Sequence, residues 1–352
     1  MRNGRCYFES KQVIGKGNFA KVFLVERKKD RKEFAVKVFD KETIMKDELE
    51  KKCLLYEIKM MREMNHPRVL RLHELYEGEN YIYCLCELYK GSDLLKAIIK
   101  KGSQPEMKAL SIVFQILEAL SYMHSKKIIH RDLKPENIIF KTSKHDIDIG
   151  VVDLGFATLE KDYRKLFVRC GTPGYVAPEV LNDKDYNCKV DVYSAGIIFY
   201  IILTGHIPFY GNSYKEIVMR NMKGDINFNF SKYKIKVNED TMDLLKSMLQ
   251  KDPRKRISSG DALMHPAFCN VLSKSPLHIK PIDQLNVDDL KQHTNITGEE
   301  QAKKAKGKAK TPSTIPDDIN DFYSPNTPAL AKGRKKSFDA VNKGVNKMKV
   351  KK

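Results

Sequence analysis

Tryptophan is absent from all 352 residues, and cysteine occurs only seven times. The cysteine count is odd, and no two form a Cys-x-x-Cys pair or stand at a metal-ligand spacing. That excludes a disulfide framework and a structural zinc site, and it points to free thiols in a reducing compartment. Long apolar runs are missing too. The longest, Ala195 to Leu203, falls far short of the ~20 residues that cross a bilayer as a helix. The opening MRNGRCYFES has no apolar core for a secretory signal, and Arg2 excludes N-myristoylation. No twelve-residue calcium-binding loop of the Asp-x-Asp-x-Asp-Gly type occurs. The expectation is a cytoplasmic chain, with the nucleus also open to it.

Positive charge, in contrast, is abundant. The net charge is +19, and residues 271–352 contribute +8 of it. A basic surface suits anionic partners such as acidic lipid or calmodulin; nucleic acid is not expected. For any single cluster, a solvated lysine-rich face is the plainer reading. A hydrophobic fraction of 41% is ordinary for a globular protein, and the length allows two lobes and a tail.

The chain is organised around Ile128 to Gly155. IIHRDLKPENIIF places Asp132, Lys134 and Asn137 in one polar loop between apolar flanks, and a second carboxylate, Asp153, follows the apolar run that ends in VVDLG. His130 to Asn137 fits H-R-D-L-x-x-x-N at every defined position. On these residues the chain resembles a eukaryotic serine/threonine protein kinase over about residues 7–268. The resemblance implies an α+β bilobal kinase fold: a small β-rich N-lobe (about 7–89), a larger helical C-lobe (about 90–268) and a flexible basic tail (269–352). It implies ATP and Mg²⁺ as cofactors. Phosphoryl transfer is mostly positioning and charge neutralisation. Asp132 would orient the target hydroxyl and take its proton, Lys134 would steady the phosphoryl group, and Asn137 and Asp153 would offer hard oxygens to Mg²⁺.

Further residues follow the same resemblance. Ile14, Gly15, Gly17 and Val22 lie in VIGKGNFAKVFLV, a G-x-G-x-x-G-x-V loop whose third glycine is replaced by Ala20. EFAVKVF looks like a third strand, with Ala35 against the nucleotide and Lys37 on its phosphates. Glu57 lies on a predicted helix, off the apolar stripe of Leu54, Ile58 and Met61, and would pair with Lys37. Val69 to Leu75 and Tyr81 to Leu88 read as strands. Cys86 would guard the back of the adenine pocket, Glu87 to Tyr89 would form the hinge, and Ile139 would floor the site. Asp93 and Glu136 are acids that, in basophilic relatives, receive an arginine three residues before the target. Leu154 replaces the usual Phe of D-F-G and joins Met61, Leu72 and His130 in the expected apolar spine.

In the C-lobe, Ser103-Gln-Pro-Glu106 reads as a capping box opening a long amphipathic helix to about Lys126. Thr172 in GTPGYVAPE would touch Asp132 and Lys134. Glu179 of Ala-Pro-Glu would pair with Arg256, and Asp191 would brace the HRD loop. Val168 occupies the position that is phosphorylated in many kinases, so activation-segment phosphate is not expected to be needed. GTPGYVAPEV and DALMHP look most like the calcium/calmodulin-dependent kinase group. In the tail, Phe338, Val341, Val345 and Met348 form a thin apolar stripe among lysines. That spacing is calmodulin-target-like or membrane-surface-seeking over about 330–350, beside the readings of a nuclear-import or nucleic-acid contact and of a plain solvated tail. Expected substrates are proteins with basic residues before Ser or Thr. The competing reading is a pseudokinase or scaffold that binds ATP without turnover.

Overall fold

The computed structural model describes residues 8–16, 20–143, 147–166 and 170–273. Its first part is a five-stranded antiparallel sheet in the order β1-β2-β3-β5-β4, formed by β1 (Phe8–Lys16), β2 (Ala20–Arg27), β3 (Glu33–Asp40), β4 (Leu72–Glu77) and β5 (Tyr81–Cys86). The strands are rich in Val, Phe and Tyr, which suit a pleated, half-buried surface. Between β3 and β4 come the short helix α1 (Lys41–Met45) and the longer α2 (Glu48–Glu63). Asp47 caps α2 by accepting the Leu49 N–H at 2.8 Å.

The register of the sheet sets up the cleft. Gly15 pairs with Val22, Val22 with Lys37, and Lys37 with Cys84; Ala35 pairs with Cys86. Residues directly opposite one another share a face, and so do residues two apart on one strand. One face of the sheet therefore carries Gly15, Val22, Ala35, Lys37, Cys84 and Cys86. Strand β4 starts three residues later than the sequence suggests. Val69 instead forms an isolated bridge with Val151, which ties this connection to the second lobe.

The remainder is mostly helical: α3 (Leu94–Lys101), α4 (Glu106–Ser125), α5 (Tyr163–Leu166), α6 (Pro178–Leu181), α7 (Lys189–Thr204), α8 (Tyr214–Lys223), α9 (Glu239–Met248), α10 (Ser259–Leu263) and α11 (Cys269–Ser273). Short strands β6 (Ile128–Ile129) and β9 (Thr158–Leu159) pair with each other, as do β7 (Ile138–Phe140) and β8 (Ile149–Val151). Helix α7 is buried from Val190 to Thr204, as a sequence apolar nearly all round predicts. Arg256, fully buried, holds Glu179 with two bonds of 2.6 and 3.0 Å, and its guanidinium lies over the Tyr193 ring. Among the described residues, no helix is long and apolar enough to cross a membrane.

Two local expectations need correction. No capping box forms at Ser103: Pro105 is the N-cap of α4 without a side-chain cap, and the Glu106 carboxylate accepts the Asn238 N–H at 2.9 Å instead. A contact from 132 residues away has outcompeted the local one. Helical structure also continues past Phe268, where α11 brings Val271 against the core. The rest of the tail, including 330–350, lies outside the described residues.

Candidate active site

Asp132 sits between two partners. Lys134 Nζ donates to its Oδ2 at 2.7 Å, and Thr172 Oγ1 donates to its Oδ1 at 2.7 Å. Lys134 also reaches Thr172 Oγ1 at 3.1 Å. The 3-10 turn Pro135–Asn137 swings Asn137 back, so that its Nδ2 donates to the Asp132 carbonyl at 2.8 Å. That bond fixes the amide and leaves Oδ1 as a ligand.

The loop is strained and braced. Arg131 and Asp153 both adopt left-handed backbone, with φ of 68° and 66°. Such positions cost on the order of 1–3 kcal/mol each and persist only when the surroundings hold them. Asp191 holds the first: its carboxylate accepts the His130 and Arg131 N–H groups at 2.8 and 2.9 Å, and His124 Nε2 lies 3.0 Å away. Burial opposes this charge, but His124, His130 and the backbone donors outweigh it and hold the Asp191 carboxyl below its ordinary range.

Across the cleft, the Lys37 ammonium pairs with Glu57, which is buried, and lies 3.9 Å from Asp153. Desolvation works against these charges, yet attraction wins at two of them. Glu57 and Asp153 push the ammonium above its usual range, while Lys37 and Lys134 pull Asp153 below its own. Asp153 keeps nearly half of its side-chain surface open to the cleft, at 46%. An ionised, exposed carboxylate beside a fixed amide oxygen is a donor set for Mg²⁺, which keeps several waters and takes few protein ligands.

The segment that follows Asp153 approaches this loop at Gly171. Its φ is +99°, and a β-carbon there would stand 2.6 Å from the Arg131 carbonyl. No other residue type allows that approach without displacement.

Residues 8–268 match the protein kinase domain family. This chain belongs to that family. It is 33% identical over 289 residues to myosin light chain kinase A of Dictyostelium discoideum, covering 82% of this chain and 97% of that one. It is 37% identical over 260 residues to calcium/calmodulin-dependent protein kinase type 1 of Caenorhabditis elegans, covering 74% and 73%. A third relative, calcium-dependent protein kinase 4 of Plasmodium falciparum, is 35% identical over 283 residues, covering 80% of this chain and 53% of that one. The protein is a eukaryotic serine/threonine kinase of the calcium/calmodulin-dependent type; it uses ATP and Mg²⁺ and acts on protein substrates.

The kinase brings most of its sequence-predicted residues to this cleft. Met61 and Leu154 are core residues, Leu72 packs against that core, and His130 is fully buried. Ile14 falls where the β1–β2 register shifts between Val13 and Gly15, and it is exposed. Gly17 lies outside the described residues. The Glu87 N–H donates to the Arg71 carbonyl at 3.0 Å. The Tyr89 ring packs on Gly150, and Ile139 is half-buried on β7, opposite Gly150. Burial pushes the thiols of Cys84 and Cys86 up to about 12, so both are protonated, compact side chains.

Asp93 is more heavily engaged than the sequence suggests. Its carboxylate caps α3 by accepting the Lys96 N–H at 2.8 Å and pairs with the Lys96 ammonium at 2.8 Å. Glu136 is the opposite case. Both of its oxygens are shut off from solvent and have no hydrogen-bond partner among the described residues. Burial pushes its carboxyl up, against the pull of Lys134. Two residues that matter to the cleft escape sequence reasoning altogether. His124 supports Asp191, and Asn221 of α8 bonds to the loop after Thr172. A histidine and an asparagine within helices give no periodic signal.

Proposed function

We propose that the kinase phosphorylates serine or threonine in segments with arginine three residues before the target, and that it needs no phosphate on its own activation segment. The Glu136 carboxylate, which finds no donor among the described residues, carries the first part: it turns out toward the cleft when a guanidinium offers the missing bonds. A buried acceptor without a donor is costly, and a guanidinium supplies paired N–H groups in carboxylate geometry. Asp93, at the N-terminus of α3, adds a second acid to the same reading.

In the reaction, Asp132 accepts the proton of the target hydroxyl, and Thr172 and Lys134 fix its two oxygens. Lys37, held by Glu57, contacts the nucleotide phosphates. Asn137 and Asp153 would hold Mg²⁺, which would supply charge neutralisation at the transferring phosphate. The cleft face of the sheet, with Gly15, Val22, Ala35 and Cys86, receives the nucleotide, and the hinge backbone at Glu87 and Tyr89 reads the base.

Arg131 supports the second part. Its guanidinium donates to the carbonyls of Phe156 and Tyr163 at 2.7 and 3.1 Å and to the Tyr186 hydroxyl at 3.5 Å. These neutral acceptors serve where a phosphate would otherwise order the segment. Val168 itself lies outside the described residues. Calmodulin is the proposed partner of the stripe at 330–350, supported by that stripe's basic amphipathic spacing and by the name of the Caenorhabditis relative.

One kinetic design tests the reading. Phosphate-free full-length enzyme and its Glu136→Gln variant are assayed on two peptides, with and without arginine at the third residue before the serine, in the presence and absence of Ca²⁺/calmodulin. The native enzyme should favour the arginine peptide at least about tenfold in kcat/KM, and Glu136→Gln should erase most of that preference, since a buried charged bond is worth roughly 1.5–3 kcal/mol. Turnover should appear with calmodulin. Equal use of both peptides by the native enzyme sinks the arginine reading, turnover only after loop phosphorylation sinks the second part, and indifference to calmodulin sinks the third.

A further inference from the structure

Asn221 is fully buried, and so its side-chain amide must find bonds inside the protein. Helix α8 buries two residues, Ile217 and Asn221. They stand four apart, on one face. That face meets the loop from Thr172 to Val176. Ile217 Cγ2 lies 3.9 Å from where a β-carbon of Gly174 would be. Asn221 Oδ1 accepts the Gly174 N–H at 2.8 Å, and its Nδ2 donates to the Val176 carbonyl at 2.9 Å. Tyr175, between them, gives its N–H to the Thr172 carbonyl at 3.1 Å, and its own carbonyl accepts from Ser194 Oγ at 3.0 Å. One amide thus grips three consecutive residues from both ends, as a neighbouring strand would. Gly174 sits at φ +94°, a conformation open to glycine and rarely to other residues, and its freedom is what the amide restricts.

Thr172, whose hydroxyl bonds Asp132, is two residues upstream of the grip. We propose that Asn221 is a positioning residue for the protein substrate. It acts through this loop on Thr172 and on the place where the target segment lies beside Asp132. The inference rests on Asp132 as the proton acceptor. It adds that the loop is ordered by a permanent, uncharged side-chain clamp from α8 and α7.

The test compares full-length Asn221→Leu, Asn221→Asp and Asp132→Asn enzymes, reading peptide KM, kcat and the affinity for a non-hydrolysable ATP analogue. Asn221→Leu removes both bonds at similar volume. Its peptide KM should rise about 10- to 100-fold, the range expected for misplacing a reacting segment by an ångström or so, with analogue affinity unchanged. Asn221→Asp keeps the acceptor for Gly174 but sets a carboxylate against the Val176 carbonyl. Its peptide KM should fall back toward the native value as pH is lowered and the new carboxyl gains a proton to donate, whereas that of Asn221→Leu should not. A peptide KM within twofold of native in both variants, with Asp132→Asn inactive, overturns the clamp alone. Peptide and analogue binding weakening together in both variants reduces Asn221 to a packing residue. A turnover-competent Asp132→Asn enzyme overturns the underlying assignment and the clamp's role with it.

Discussion

Asp191 shows how much of this site depends on a side chain that touches no substrate. Its carboxylate holds the His130 and Arg131 N–H groups, and through them the left-handed turn that presents Asp132. Replacement by Asn keeps the shape and removes the charge. Unfolding free energy at pH 7 should fall by about 1.5–3 kcal/mol, as expected for charge-assisted bonds. The pH dependence carries a sign. The folded-state pKa of Asp191 lies below the ordinary 3.8, so its stabilisation is complete above that value and fades as pH falls through the depressed one. Urea melts of native and Asp191→Asn enzyme should therefore differ most at neutral pH and converge below about pH 4. A gap that widens in acid would contradict this account. The site is most legible in the sequence where its residues are close together. Asp132, Lys134 and Asn137 are placed by one short loop, so their spacing already contains their geometry. Glu57 and Lys37 are twenty residues apart and can be paired only through the kinase resemblance. Asn221 and His124 cannot be found at all, because each acts through a contact made by the completed fold.

Among the elements, the activation segment depends on glycine for a close approach, whereas the turn after α3 depends on it for its backbone angles alone. Gly171 and Gly102 both have positive φ, at 99° and 72°. A methyl group added at Gly102 would meet no atom within 4 Å, while at Gly171 the Arg131 carbonyl and Val176 would crowd it at 2.6 and 2.8 Å. Gly102, with ψ of −147°, lies outside the left-handed helical well in a region nearly confined to glycine, so Gly102→Ala should cost about 1–3 kcal/mol of backbone strain, with no steric clash added. Gly171→Ala must add steric displacement of the catalytic loop, and its peptide kcat should fall by more than about tenfold even where the enzyme stays folded. Equilibrium melts and steady-state rates on the two variants separate these costs, and equal rates would remove the close approach from the argument. The elements also show where pattern reading stops. Helix α7 is plain in a stretch that is apolar nearly all round, and the strands are plain in their β-branched and aromatic content. The capping box at Ser103 satisfies every local rule and yet does not form, because Glu106 bonds Asn238 from a distant segment.

For the molecule as a whole, the two parts of the fold meet at the nucleotide cleft, and ligand binding should be visible as stability. Mg²⁺ with a nucleotide at about 100 times its Kd adds ~2.7 kcal/mol to unfolding. For a domain of this size that corresponds to a rise in Tm of roughly 5–10 °C. Asp153→Asn should lose the Mg²⁺-dependent part of the shift while retaining a smaller nucleotide-only one. A full shift in that variant would remove Asp153 from the metal. The clamp at Asn221 and the lone carboxylate at Glu136 respond differently to salt. Neutral amide bonds inside the protein are indifferent to ionic strength. Attraction between an approaching arginine peptide and an acidic cleft is screened beyond ~8 Å at physiological salt and beyond ~3 Å at about 1 M. Raising the salt should therefore slow the capture of arginine-bearing substrates while leaving the loop in register, and the enzyme should become less discriminating before it becomes less ordered.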